Sequence, residues 1–176
     1  MQNCFIKEQY MAKISLKGNP VETNGELPPI GTKAPDFKLI DKDLTERTLA
    51  DFQGKQKILS IVPSLDTAVC SLSAKKFNEA IAKQNNALLL VISADTPFAQ
   101  KRVCGAEGLN NIVTLSMMQD REFAKSYGVL ITTGALKGLA ARAVFVLDEN
   151  NRILYSELVP EITEEPDYKK AVSFLN

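Results

Sequence analysis

The chain contains no histidine and no tryptophan, and only three cysteines, Cys4, Cys70 and Cys104, among its 176 residues. Without histidine the usual general base is missing, so serine and cysteine hydrolases that depend on one are excluded. The commonest metal ligand is missing too, and no two cysteines fall within a C-x₂₋₄-C spacing, which excludes zinc sites of the finger or ribbon kind. Three cysteines are also too few for a disulfide scaffold. Net charge is absent as well, since 21 basic residues balance 21 acidic ones, and no tail is extended and basic. Electrostatics therefore gives no reason to expect nucleic acid or an anionic membrane as partner. The longest apolar run, Ala87 to Ile92, falls far short of the roughly 20 residues needed to cross a bilayer. The opening stretch, Met1 to Tyr10, lacks the apolar segment of a secretory signal, and Met11 could serve as a natural start. As it stands the chain reads as cytoplasmic, with a periplasmic location left open for a processed form.

What is present fits an ordinary soluble globular protein: hydrophobic residues are 45% and charged residues 24% of the chain. The length suits one compact core and offers no linker to separate two. Residues 1–12 are expected to form a mobile N-terminal extension and residues 13–176 a single domain.

Alternation over Lys13 to Lys17, the turn residues Gly18-Asn19-Pro20 and the short Val21-Glu22-Thr23 predict an N-terminal β-hairpin. Phe37 to Ile40 predicts a short strand. Lys57 to Val62, stopped by Pro63, and Ala87 to Ser93 are apolar almost throughout, the pattern of parallel strands covered on both faces. Between them Cys70, Ala74, Phe77 and Ile81 share one helical stripe. Pro97 to Cys104 predicts a short helix capped by Thr96 or Asp95 and broken at Gly105 and Gly108. Ile112 to Leu115 predicts a strand and Asp120 to Tyr127 a helix ending at Gly128. Ala141 to Leu147 and Arg152 to Leu158 predict an antiparallel hairpin, and Pro166 to Leu175 a closing helix. The fold class is α/β, a central mixed sheet flanked by helices.

Five residues are candidates for chemistry. Cys70 falls in the first turn of its helix, where free amides and the helix dipole favour an anion, so it reads either as a nucleophilic thiolate or as a core cysteine on the apolar stripe. Thr67, three residues earlier, either caps that helix or brings its hydroxyl to the same small volume. Pro63 ends the preceding strand and fixes the entry to the loop. Arg142 opens an apolar strand on one face with Val144 and Val146; at the edge of so apolar a strand it needs either water or an anion, whether a carboxylate or another. Cys104 is either a core residue of a minor helix or a second thiol able to close on Cys70. Nothing in their separation forbids that closure.

Pro63, Thr67 and Cys70 in P-x-x-x-T-x-x-C order, the segment Ser93 to Gln100 leading to Cys104-Gly105-Ala106-Glu107-Gly108, and Gly138-Leu139-Ala140-Ala141-Arg142 together resemble the thiol peroxidase subfamily of peroxiredoxins, the atypical two-cysteine type of bacteria. The resemblance runs from about Met11 to the C-terminus. It implies a thioredoxin-like fold with an N-terminal β-hairpin, a homodimer, and reduction of organic hydroperoxides and hydrogen peroxide. It further implies that Cys70 is the peroxidatic cysteine and Cys104 the resolving one within the same chain, with Arg142, Thr67 and Pro63 shaping the site. Thioredoxin is the implied reductant, and no cofactor or metal is implied. A thiol-disulfide exchange protein, or a redox sensor that passes oxidation to partner proteins, is the competing expectation. Cys4 precedes the matched region and takes no role from it.

Overall fold

The structure, a computed structural model, describes residues 12–175. Cys4 and nearly all of the expected extension at 1–12 lie outside the described residues. The fold is thioredoxin-like, with an N-terminal β-hairpin packed beside a central mixed sheet.

Strands β1 (Lys13–Leu16) and β2 (Asn19–Glu22) form the expected hairpin. Its turn is Lys17-Gly18, both at positive φ (51° and 78°), so the turn sits one residue earlier than predicted and Pro20 falls inside β2. Two positive-φ residues give the twist that suits a two-residue hairpin. In a two-stranded ribbon each strand is an edge, where a proline without an N–H is tolerated.

The seven-stranded sheet holds β3 (Leu39–Asp41), β4 (Glu46–Arg47), β5 (Gln56–Ile61), β6 (Ala87–Ser93), β7 (Ile112–Ser116), β8 (Ala143–Leu147) and β9 (Ile153–Leu158), in the order β4-β3-β7-β6-β5-β8-β9. β5, β6 and β7 run parallel, and the outer neighbours pair antiparallel. The helices are α1 (Ala68–Ile81), α2 (Pro97–Glu107), α3 (Glu122–Ser126) and α4 (Tyr168–Val172). α2 runs through Gly105 and stops at Gly108, which takes the left-handed conformation (φ 65°) and donates its N–H to the Cys104 carbonyl. Packing against the sheet outweighs the cost of one internal glycine, about 1 kcal/mol. α4 is shorter than the predicted closing helix because the Asp167 side chain caps it, accepting from the Lys170 N–H at 3.0 Å.

The apolar runs of β5 and β6 are continuous because both sheet faces are covered. Leu59, Ile61, Leu90, Ile92, Phe145 and Leu147 belong to one core, with Phe123 and Tyr127. Ile58, Leu89, Val91, Val144 and Val146 belong to the other, beneath Cys70, Ala74, Phe77 and Ile81 of α1. Gly128 ends α3 at φ 69°, and the Glu26 carbonyl approaches so closely that a Cβ would lie 2.1 Å from it, so only glycine fits.

The hairpin is tied to the C-terminal segment. Ser15 N–H donates to the Pro160 carbonyl (2.7 Å), and Ile162 N–H donates to the Ser15 carbonyl (2.9 Å). The Glu161 carboxylate accepts from Ser15 Oγ (2.7 Å), Lys17 N–H (2.9 Å), Gly18 N–H (3.0 Å) and Thr163 Oγ1 (2.8 Å). These donors, led by the Gly18 amide, hold the Glu161 carboxyl far below the ordinary carboxylate range. A depressed folded-state pKa stabilises the fold above the unfolded value, about 4.3 for glutamate, and that stabilisation is lost as pH falls through the folded value. Amide exchange should therefore show β1–β2 protected at pH 5 and still protected somewhat below the ordinary glutamate range. Glu161→Ala should expose the hairpin amides at both. Equal protection in the variant would refute the tether.

Candidate active site

Pro63 is buried directly after the β5 run, where Val62 N–H still donates to the Ile92 carbonyl at 3.0 Å. The chain then turns through Ser64, Leu65 and Asp66 to Thr67, the N-cap of α1. Thr67 takes the cap position by backbone conformation (φ −129°, ψ 150°), but its hydroxyl does not cap the helix. It donates instead to the Ser64 carbonyl (3.3 Å) and stays exposed at the mouth of the site. Ser71 N–H to the Thr67 carbonyl (2.9 Å) is the first bond of the helix. Cys70 precedes it, in the first turn, where amides have no intrahelical acceptor and the dipole favours negative charge.

Cys70 is 1% exposed and Arg142 3%. They meet directly: Arg142 Nη2 donates to Cys70 Sγ at 3.3 Å, while Nε donates to the Ile162 carbonyl at 3.0 Å. Arg142 has no carboxylate within ion-pair distance among the described residues, so of the two readings of its sequence position the sulfur is the one realised. Its Nη1 is buried and has no hydrogen-bond partner among the described residues. A buried guanidinium arm left unpaired is costly, and it marks where a polar ligand gains most.

The strand alternation puts Arg142 in place. Ala140 and Ala141 are fully buried and small enough to let the chain pass between layers. Ala141 N–H donates to the Val129 carbonyl (2.8 Å), and Arg121 Nε donates to the Gly138 carbonyl (2.8 Å). Val159 N–H closes on the Arg142 carbonyl at 3.0 Å. Nearby, Ser73 Oγ and Tyr168 OH lie 2.8 Å apart and join α1 to α4, and Lys76 pairs with Glu165 at 2.6 Å. Burial, with the Glu165 carboxylate, pushes the Tyr168 phenol well above the usual range, although the Ser73 hydrogen bond and the Arg142 charge act in the opposite sense.

A groove of about 360 Å³ opens over the first turns of α1, lined by Leu65, Thr67, Ser71 and Leu72 and by Val103 and Glu107 of α2. Cys104 faces elsewhere, into a separate groove with Lys42, Lys101, Leu109 and Thr114. Cys70 and Cys104 are both free thiols. Burial pushes the Cys104 thiol up, with the Lys42 ammonium partly offsetting it. The structure thus brings Cys70 and Arg142 together, puts Thr67 at the N-cap of the helix that carries Cys70 and Pro63 after the strand before it, and leaves Cys104 on α2 as a separate free thiol. No group of three His, Cys, Asp or Glu able to hold a metal occurs among the described residues.

The sequence model of the Redoxin family matches residues 29–172. A thiol peroxidase of Leptospira interrogans serogroup Icterohaemorrhagiae serovar copenhageni is 54% identical over 168 residues, covering 94% of this chain and 98% of that protein. The chain belongs to the thiol peroxidase subfamily of peroxiredoxins. Solved structures agree with this peroxiredoxin in fold. A peroxiredoxin-like protein from Aquifex aeolicus superposes with a TM-score of 0.86 at 43% identity, covering 93% of this chain and 96% of that one. The thiol peroxidase from Chromobacterium violaceum gives 0.85 at 27% identity, covering 90% and 91%.

One residue of this peroxiredoxin's site region was read from sequence only as an alternative helix cap. Asp95 accepts from the loop that leads to Cys70, with Ser64 Oγ and Leu65 N–H both at 2.7 Å. The available signal was a carboxylate immediately beyond the carboxyl end of a parallel strand, a place where open α/β sheets collect functional groups.

A charge-assisted hydrogen bond contributes about 1.5–3 kcal/mol, and about 1.4 kcal/mol is a tenfold change in an equilibrium. Arg142→Met should therefore slow alkylation of the Cys70 sulfur by iodoacetamide in reduced protein at least about tenfold. Cys70→Ser serves as the blank and circular dichroism as the check on folding. An unchanged alkylation rate in a folded variant would dissociate Arg142 from the sulfur.

Proposed function

We infer that Cys70 is the peroxidatic nucleophile of this peroxiredoxin and Cys104 its resolving cysteine. The observation that carries the reading is the buried Arg142, which offers one guanidinium arm to the Cys70 sulfur and has a second arm without a protein partner. Peroxide reduction through a catalytic cysteine is the activity of the subfamily to which the chain belongs.

In the proposed reaction the Cys70 thiolate attacks the terminal oxygen of a hydroperoxide. An S–O bond forms, the O–O bond breaks, and the departing alkoxide takes up a proton as the alcohol; sulfur is oxidised and the peroxide reduced. Arg142 and the Thr67 hydroxyl hold the peroxide oxygens and stabilise the charge that moves onto the leaving one. Pro63, with no N–H of its own, shapes the floor of the loop. The Cys104 sulfur, as thiolate, then attacks the Cys70 sulfenic acid; an S–S bond forms, the S–O bond breaks, and the departing hydroxide takes up a proton as water. A thioredoxin-like dithiol restores both thiols by exchange, and we propose thioredoxin itself. Organic hydroperoxides are the favoured substrates, with hydrogen peroxide also accepted. The exposed apolar Leu72 of the groove suits an organic R group.

The decisive experiment adds equimolar cumene hydroperoxide to fully reduced protein, quenches within a second, and maps it by mass spectrometry without reductant. Linked Cys70 and Cys104 peptides are expected. Cys70→Ser should abolish peroxide turnover, whereas Cys104→Ser should keep the first step and lose cycling with thioredoxin. Recovery of unmodified thiols from the natural chain would overturn the assignment.

We also propose a homodimer. Phe98 at the start of α2 (68% exposed) and Met118 after β7 are large exposed apolar side chains near the carboxyl ends of β6 and β7, and burial in an interface would stabilise both. Light scattering should give twice the chain mass, and Phe98→Glu should reduce it toward one. A natural chain that runs as a monomer at micromolar concentration would refute the dimer.

A further inference from the structure

Asp95 touches neither Cys70 nor Arg142, yet it joins the two segments that carry the thiols. Its carboxylate accepts three hydrogen bonds at 2.7 Å, from Ser64 Oγ and Leu65 N–H of the loop before Cys70 and from Ser93 Oγ at the end of β6. A carboxylate is an acceptor only, with room for all three donors. Ser93 Oγ, having donated its proton to Asp95, accepts from Gln100 Nε2 at 2.9 Å. The same amide nitrogen donates to the Leu115 carbonyl of β7 at 3.1 Å. Gln100 is fully buried and lies one turn before Cys104 on α2. The backbone carbonyl of Asp95 in turn accepts from Ser116 Oγ, which ties the Asp95 main chain to β7 as well. A continuous polar strut thus runs from Leu65 through Asp95 and Ser93 to Gln100.

We propose that Asp95 is the positioning residue of the peroxidatic loop, and that through Ser93 and Gln100 it sets the boundary between the part of α2 that stays folded and the part that opens to deliver Cys104. This rests on the assignment of the two cysteines made above. The loop follows from the geometry. Leu65 is buried and held by its backbone, so Asp95 fixes where the chain enters Thr67 and hence where the first turn of α1 presents Cys70. The boundary follows from the groove lining. Val103 and Glu107 line the groove over the first turns of α1, Cys104 lines another, and both cysteines are free thiols, so a bond between the sulfurs requires the later turns of α2 to move. The first turn is held by the Thr96 cap, which accepts from Ala99 N–H, and by both bonds of Gln100. The later turns contain Gly105 and end at Gly108, and an internal glycine weakens a helix. Opening is accordingly confined to residues 101–108.

Single-turnover kinetics separates the two roles. Sulfenate formation is read by trapping in the Cys104→Ser background, and disulfide closure by acid quench and peptide mapping. Asp95→Ala should slow the peroxide step at least tenfold. Asp95→Asn keeps one acceptor oxygen but turns an amide donor toward a donor, and should slow the step severalfold; it decides the matter should Asp95→Ala not fold. Gln100→Ala should raise the ratio of closure to peroxide rate about fivefold and speed amide exchange at Ala99 and Gln100, whose amides, held by Thr96, the natural chain should protect more than those of residues 101–108. A structural role alone would lower the melting temperature without separating the steps. Natural peroxide rates in Asp95→Asn, or an unchanged ratio in Gln100→Ala, would overturn the proposal. Failure of the natural chain to form the Cys70–Cys104 disulfide would instead overturn the cysteine assignment.

Discussion

Arg142 is a charged side chain almost wholly removed from water, and the rest of the site is arranged around that cost. Desolvating an ion in a protein interior costs several kcal/mol unless hydrogen bonds and an opposite charge offset it. Here the compensation is divided. A backbone carbonyl, that of Ile162, takes Nε, and the Cys70 sulfur takes one arm. The helix N-terminus under that sulfur supplies a second preference for negative charge. Sulfur and guanidinium therefore each supply a bonding partner that the other would otherwise lack in a buried place.

The two thiols sit in contrasting surroundings for a reason that the packing makes plain. α1 lays Cys70, Ala74, Phe77 and Ile81 along the sheet as one buried stripe, which fixes the first sulfur rigidly. α2 buries Pro97, Gln100 and Val103 but leaves Cys104 half-buried at its margin. Under the proposed reaction rigidity would suit Cys70, which meets a small oxidant in one geometry. A marginal placement would suit Cys104, which has to reach it. Both are built from the same strand–helix units of one sheet.

Much of this was legible from residue order because it depends on periodicity. The period of 3.6 placed Cys70 on the buried stripe, and the period of two separated Arg142, Val144 and Val146 from Ala143, Phe145 and Leu147, which occupy different cores. Turn register was less legible: Lys17, not a residue that usually accepts positive φ, takes the first turn position because the flanking pairs dictate it. Lys57 was read as part of an apolar strand, and it is fully buried with its ammonium donating to the Phe52 and Lys55 carbonyls, a solution visible only in three dimensions. The partner of Arg142 was likewise undecidable locally, because a carboxylate and a sulfur satisfy the same sequence pattern. Asp95 reads as a helix cap for the same reason: its partners Ser64 and Leu65 belong to a distant loop.

The peptide groups flanking Ile162 point two ways. Its N–H reaches Ser15 in the N-terminal hairpin, and its carbonyl receives Arg142. Segments far apart in the sequence therefore converge on the residue that orients the arginine. At about 5–20 residues per second, on the order of ten seconds of synthesis separate Ser15 from Ile162. For the part of that interval after Cys70 has been made, the cysteine exists in the nascent chain without the frame that gives Arg142 its direction. The oriented pairing of Arg142 with the sulfur can therefore form only once residue 162 has been added.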